Sequence, residues 1–120
     1  MNEFIEKLNG AFSAEECDGG IRIITPIMYQ GADHSFSFYV ERSGSGFAIN
    51  DRGETLNYMR ENFDPKMYTD KIEAICERFE VTLADGVFHG RLASLESGQT
   101  MRNLFKFIGV MNILANIDLV

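Results

Sequence analysis

Between Phe47 and Leu56 the chain reads FAINDRGETL, and its hydrophobic period changes within that stretch. On the amino side Phe47 and Ile49 alternate with Ala48 and Asn50, the period of two that marks a strand. On the carboxyl side Leu56, Met59 and Phe63 recur at helical spacing. Only Asn50-Asp51-Arg52-Gly53 separates the two patterns. A chain that passes from strand to helix in one short polar knot must seat a helix against the end of a sheet, which excludes all-α and all-β folds. Asp51 suits the helix N-cap, where its carboxylate accepts from free first-turn amides. Glu54, three residues on, stands in the capping-box relation, and Gly53 gives the corner its backbone freedom. On that basis an Asn at 51 keeps most of the capping, whereas Ala costs about 1 kcal/mol.

The rest of the chain fits around this corner. Phe4, Ile5, Leu8 and Phe12 form an amphipathic helical stripe, followed by an acidic loop from Ser13 to Gly20. Ile21-Arg22-Ile23-Ile24-Thr25 reads as a strand that Pro26 closes or confines to a sheet edge. Ser35 to Val40 alternates cleanly, with Phe36, Phe38 and Val40 on one face and Ser35, Ser37 and Tyr39 on the other. Gly44-Ser45-Gly46 turns it into Phe47–Asn50 as a hairpin, so three consecutive strands form an antiparallel meander. After the Leu56 helix, Asp64-Pro65 is a stop. Ile72, Ile75, Cys76 and Phe79 mark a second helix over roughly Met67 to Phe79.

Asp85-Gly86 between two β-prone runs marks a second hairpin. Gln99 to Ala115 is a long helix whose apolar face holds Met101, Leu104, Phe105, Ile108, Met111 and Leu114, widened by Phe107 and Val110. The expected fold is α+β, a single domain over residues 1–120. An antiparallel sheet of about five short strands, two hairpins and a leading strand, carries helices on one side and ends in the long helix.

Charge excludes one large class of function. With 18 acidic and 11 basic side chains the net charge is −7, and the basic residues are scattered singly, so direct nucleic-acid binding by phosphate neutralisation is not expected. The first residues carry Glu3 and Glu6 and no uninterrupted apolar stretch, which predicts neither a signal peptide nor a membrane anchor and places the protein in the cytoplasm. Cys17 and Cys76 are expected as reduced thiols, Cys76 on a buried helical face.

Each chemistry that needs a defined residue set meets a missing member. Neither cysteine lies in an activating motif with His34 or His89, and no two of these four residues have the short spacing that begins a zinc site. Asp33, Glu41 and Asp51 flank the central strands as candidate metal-binding carboxylates for a hydrolase, yet arginines rather than lysines adjoin them, and arginine stays charged. Gly44-Ser45-Gly46 lacks the lysine and the helix of a phosphate-binding loop. No cofactor and no metal are expected.

The landmarks IRIITPIMY, FSFYV, GFAINDRGETLNYM and FEVTLADGVFHG, with the terminal NILANIDLV, together resemble a family of small bacterial and phage proteins known as a domain of unknown function. The likeness spans about Cys17 to Leu119 and is carried by Thr25, Pro26, Tyr39, Val40, Asp51, Gly53, Thr55 and Leu56. Thr25, Pro26, Gly53, Thr55 and Leu56 stand in it as structural positions. The resemblance implies the fold and a mobile-element context and assigns no catalytic residue.

The expected function is a non-enzymatic, cytoplasmic protein-interaction module of a bacterial host cell. Its candidate binding residues are Asp51, Arg52, Tyr39 and Asp33, and the apolar final helix is available to a partner or to a second copy in a homodimer. The alternatives are an acidic inhibitor of a host nucleic-acid-targeting defence system, a DNA mimic or anti-CRISPR-like protein, and a metal-dependent hydrolase built on Asp33, Glu41 or Asp51.

Overall fold

A computed structural model describes residues 13–17, 19–28, 35–92 and 98–119. Strands β1 (Ser13–Cys17), β2 (Gly20–Met28), β3 (Ser35–Ser43) and β4 (Gly46–Asn50) are followed by helix α1 (Glu54–Asn62). A 3-10 turn (Pro65–Tyr68) leads into α2 (Thr69–Arg78), then β5 (Thr82–Ala84), β6 (Val87–Leu92) and α3 (Gly98–Ala115). The fold is α+β, with a sheet of six strands in the order β1-β2-β3-β4-β6-β5, each antiparallel to its neighbours.

The meander is four strands long rather than three. Ser13–Cys17 pairs with Ile24–Gly20 and forms β1 where a loop was expected. Its sequence SAEEC has no apolar alternation because an edge strand needs few buried side chains, and charges there discourage pairing with other chains. Pro26 does not end β2, which continues to Met28. It lies in a register irregularity beyond Ile24, the last residue opposite β1, where no ladder amide is asked of it. The expected helix at Phe4–Phe12 and the loop holding Asp33 and His34 fall outside the described residues.

Both remaining hairpins have two-residue loops. Asp85 (φ 53°) and Gly86 (φ 78°) are both left-handed, as a type I′ turn requires. In the β3–β4 loop Gly44 (φ 62°) alone is left-handed, the sign pattern of type II′.

One sheet face forms the core with Ile21, Ile23, Phe38, Val40, Ile49, Phe88 and Leu92. Against it lie Leu56 and Met59 of α1, Ile72 and Cys76 of α2, and Leu104, Phe107, Ile108, Met111 and Leu114 of α3. Phe38 meets Phe107 edge to face at 5.4 Å between ring centres. Gly90 allows this approach, since a Cβ there would sit 3.0 Å from Phe107 Cδ1 and 3.1 Å from Ile49 Cγ2. The buried face of α3 includes Phe107 and Val110, which were expected to widen it, whereas Phe105 falls off that face and is 51% exposed.

Candidate functional site

Asp51 is fully buried at the strand-to-helix corner. Its backbone N–H donates to Phe88 O at 3.3 Å, which prolongs the β4–β6 ladder by one residue. Its own carbonyl cannot complete that pair, because it turns inward to accept from Glu54 N at 3.1 Å. The side chain takes over the task. Oδ1 accepts from Phe88 N at 3.1 Å and from Gly53 N at 2.9 Å, and Oδ2 accepts from Thr55 N at 3.1 Å. Three backbone amides therefore hold one buried carboxylate and fasten β4, α1 and β6 together.

The corner differs from the expected capping box. The N-cap residue is Gly53, in the left-handed region at φ 83°, and Asp51 reaches the helix from two residues upstream. The Asp51 N–H that Glu54 would have accepted from goes to β6 instead. Gly53 is confined as well as left-handed, since a Cβ there would lie 3.3 Å from Gly86 O. The Asp-Gly turn of the last hairpin is thereby seated on the corner.

Arg52 takes the opposite direction, outward over the sheet. Its backbone is left-handed (φ 52°), and its N–H donates to Asn50 Oδ1 at 2.9 Å, a local bond of the kind that steadies such a turn. The guanidinium lies 4.1 Å from the Tyr39 ring centre and donates to Glu41 Oε1 at 2.6 Å. Tyr39 and Glu41 are two residues apart on β3 and so share the face opposite Phe38 and Val40.

The register extends this face across the sheet. Glu15 pairs with Arg22, Arg22 with Tyr39, Tyr39 with Asn50, Asn50 with His89 and His89 with Thr82, a polar row crossing all six strands. Arg22 donates to Glu15 Oε1 at 3.2 Å and to Ser37 Oγ at 3.4 Å. The bond to Glu15 holds the Arg22 guanidinium above its usual pKa; partial burial opposes this and the Tyr39 hydroxyl adds to it. The row holds a single acid, Glu15, and that acid is paired with Arg22, in contrast to the excess of acid in the chain as a whole.

Of the candidate binding residues, Tyr39 and Arg52 are brought into contact, Asp51 is their buried support, and Asp33 lies outside the described residues. The candidate metal carboxylates do not converge where they are described: Glu41 is engaged by Arg52 on the outer face, and Asp51 points into the interior. Among the described residues no group of three or more His, Cys, Asp or Glu side chains could hold a metal ion, and both cysteines are free thiols. Arg22, Glu15 and Asn50 were not singled out in the sequence, and His89 was weighed only as a partner for a cysteine or for zinc, since alternation assigns a face but gives no register between strands. No family model, curated protein or solved structure matches the chain.

Proposed function

We propose that the protein is a non-enzymatic interaction module of a bacterial or phage setting, acting in the host cytoplasm, and that it meets a protein partner with the polar sheet face. The carrying observation is the Arg52–Tyr39–Glu41 cluster, an arginine laid on a tyrosine at a partly exposed surface and fixed by a buried corner. Arginine and tyrosine dominate interface energetics because they offer large contact area with directed polar groups.

The test is to capture the partner from a host lysate, identify it by mass spectrometry and measure its affinity calorimetrically. Arg52→Ala and Tyr39→Ala should each weaken binding about tenfold or more while the melting temperature stays within a few degrees of the parent. Unchanged affinity in both variants would refute the sheet-face interface.

Two companion proposals rest on narrower grounds. A second copy docking on the final helix is favoured by the exposure of Phe105 and Ile113, and sedimentation velocity of the pure chain decides it. The acidic-inhibitor reading draws on the net charge of −7, although Arg22 and Arg52, paired with Glu15 and Glu41, interrupt any phosphate-like row on the described sheet face.

A further inference from the structure

We infer that a second site lies where β5 parts from β6: a cleft that takes an extended acidic peptide segment of a partner protein, one apolar side chain inserted and a carboxylate on the rim. This builds on the interaction-module function but uses a different surface.

The cleft follows from the way α2 ends. Its cap is a Schellman motif, with Val81 N donating to Cys76 O at 2.9 Å and Glu80 N to Glu77 O at 3.4 Å. Glu80 takes the left-handed position, φ 58°, that glycine usually fills. The chain therefore enters the last hairpin at an angle, and the β5–β6 ladder stops at Thr82↔His89. Continued by two residues, it would have paired Glu80 with Arg91. Instead the two segments stand apart around a cavity of about 140 Å³ lined by Phe79, Val81, Ile49, Phe107 and Val110, with Glu80, Arg91, Asn103 and Lys106 at its edges.

Three features select the occupant. The first is an open strand edge. Phe88 turns its backbone groups toward Asp51 and β4, so antiparallel alternation turns those of His89 and Arg91 the other way. His89 pairs with Thr82, whereas the Arg91 N–H and C=O have no partner among the described residues. A donor and an acceptor side by side on an edge strand are what an added peptide strand satisfies.

The second feature is the apolar floor. A cavity of about 150 Å³ accommodates a benzene ring, so the volume here suits one leucine or phenylalanine side chain. The third is the rim. Lys106 and Asn103 stand three residues apart on α3, Asn103 already accepts from Gln99 through Oδ1, and neither the Lys106 ammonium nor the Asn103 amide hydrogens have an acceptor among the described residues. With Arg91 and Lys106 against the single Glu80, the rim is net positive, and this favours a carboxylate on an incoming segment.

The probe is the end-blocked peptide acetyl-Glu-Glu-Leu-Glu-Glu-amide, titrated into the full chain and followed by amide chemical shifts. Shifts should centre on Val81, Arg91, Asn103 and Phe107, and Arg91 should become protected from hydrogen exchange. Replacing the central leucine by alanine, or the four glutamates by lysines, should weaken binding about tenfold or more, as should Lys106→Glu in the protein. Arg52→Ala should leave peptide affinity unchanged, so loss of the sheet-face interface and loss of this site are read separately. Absence of shifts at these amides at about 5 mM peptide, equal binding of the lysine peptide, or full affinity in a folded Lys106→Glu variant would each overturn the inference.

Discussion

Both carboxylate oxygens of Asp51 accept from backbone amides, and this changes what substitution should do. An asparagine retains one acceptor, enough for Phe88 N and Gly53 N, but turns an N–H toward the Thr55 amide that Oδ2 accepted from. Two donors then face each other in a buried site. Asp51→Asn should cost about 1–3 kcal/mol rather than leave the cap nearly intact, and Asp51→Ala, with all three amides unanswered, should cost more. Urea unfolding orders the variants, and an Asn variant as stable as the parent would show that the charge and the second acceptor are dispensable. Two other buried groups set the response to alkali. Burial, aided by Glu73, raises the Cys76 thiol above its ordinary value of 9.0, and burial, aided by Asp118, raises the Tyr58 phenol. Above about pH 9 the unfolded chain loses these protons while the folded chain retains them, so stability is full below that pH and falls as pH rises. Cys76→Val should flatten the first part of the fall in a pH series of melting temperatures.

At the scale of elements, the glycines of the sheet and of the last helix make opposite predictions. Gly90→Ala forces a methyl against Phe107 and Ile49 where α3 packs on the sheet, and should cost about 1–3 kcal/mol. Gly109 lies on the exposed side of α3, where an added Cβ meets nothing within 4 Å, so Gly109→Ala should stabilise by about 0.5–1 kcal/mol through helix propensity. Glu80→Gly should also stabilise, by about 1 kcal/mol, because glycine adopts the left-handed cap without the clash a Cβ brings. Thermal melts of the three variants should give one sign for Gly90 and the other for the remaining two. These elements were unequally legible in the sequence. The hairpin at Asp85-Gly86 and the strand around Phe38 announce themselves, since turn chemistry and period-two alternation are local. Strand β1 does not, because its stabilisation comes from the β2 backbone opposite rather than from its own side chains. The polar row and the cleft were hidden for a related reason: one depends on register across strands, the other on where a ladder fails to continue.

For the molecule as a whole, the question is whether the long-range repulsion of a net charge of −7 outweighs its local ion pairs. The described pairs, Arg22–Glu15 at 3.2 Å and Arg52–Glu41 at 2.6 Å, are partly exposed, and such pairs contribute at most about 1 kcal/mol each. Their separations are also well inside the screening length of about 8 Å at 0.15 M salt, so they survive its addition largely intact. Repulsion among carboxylates scattered over the surface acts at longer range, and raising the salt from about 0.01 M shortens the screening length from about 30 Å. Repulsion is therefore the interaction that salt removes, and it favours the expanded unfolded chain. Adding sodium chloride to 0.15 M at pH 7 should raise the melting temperature by about 2–4 °C. The same step near the isoelectric point should do little, and a fall in melting temperature at pH 7 would mean that the ion pairs on the sheet face outweigh the excess of acid around them.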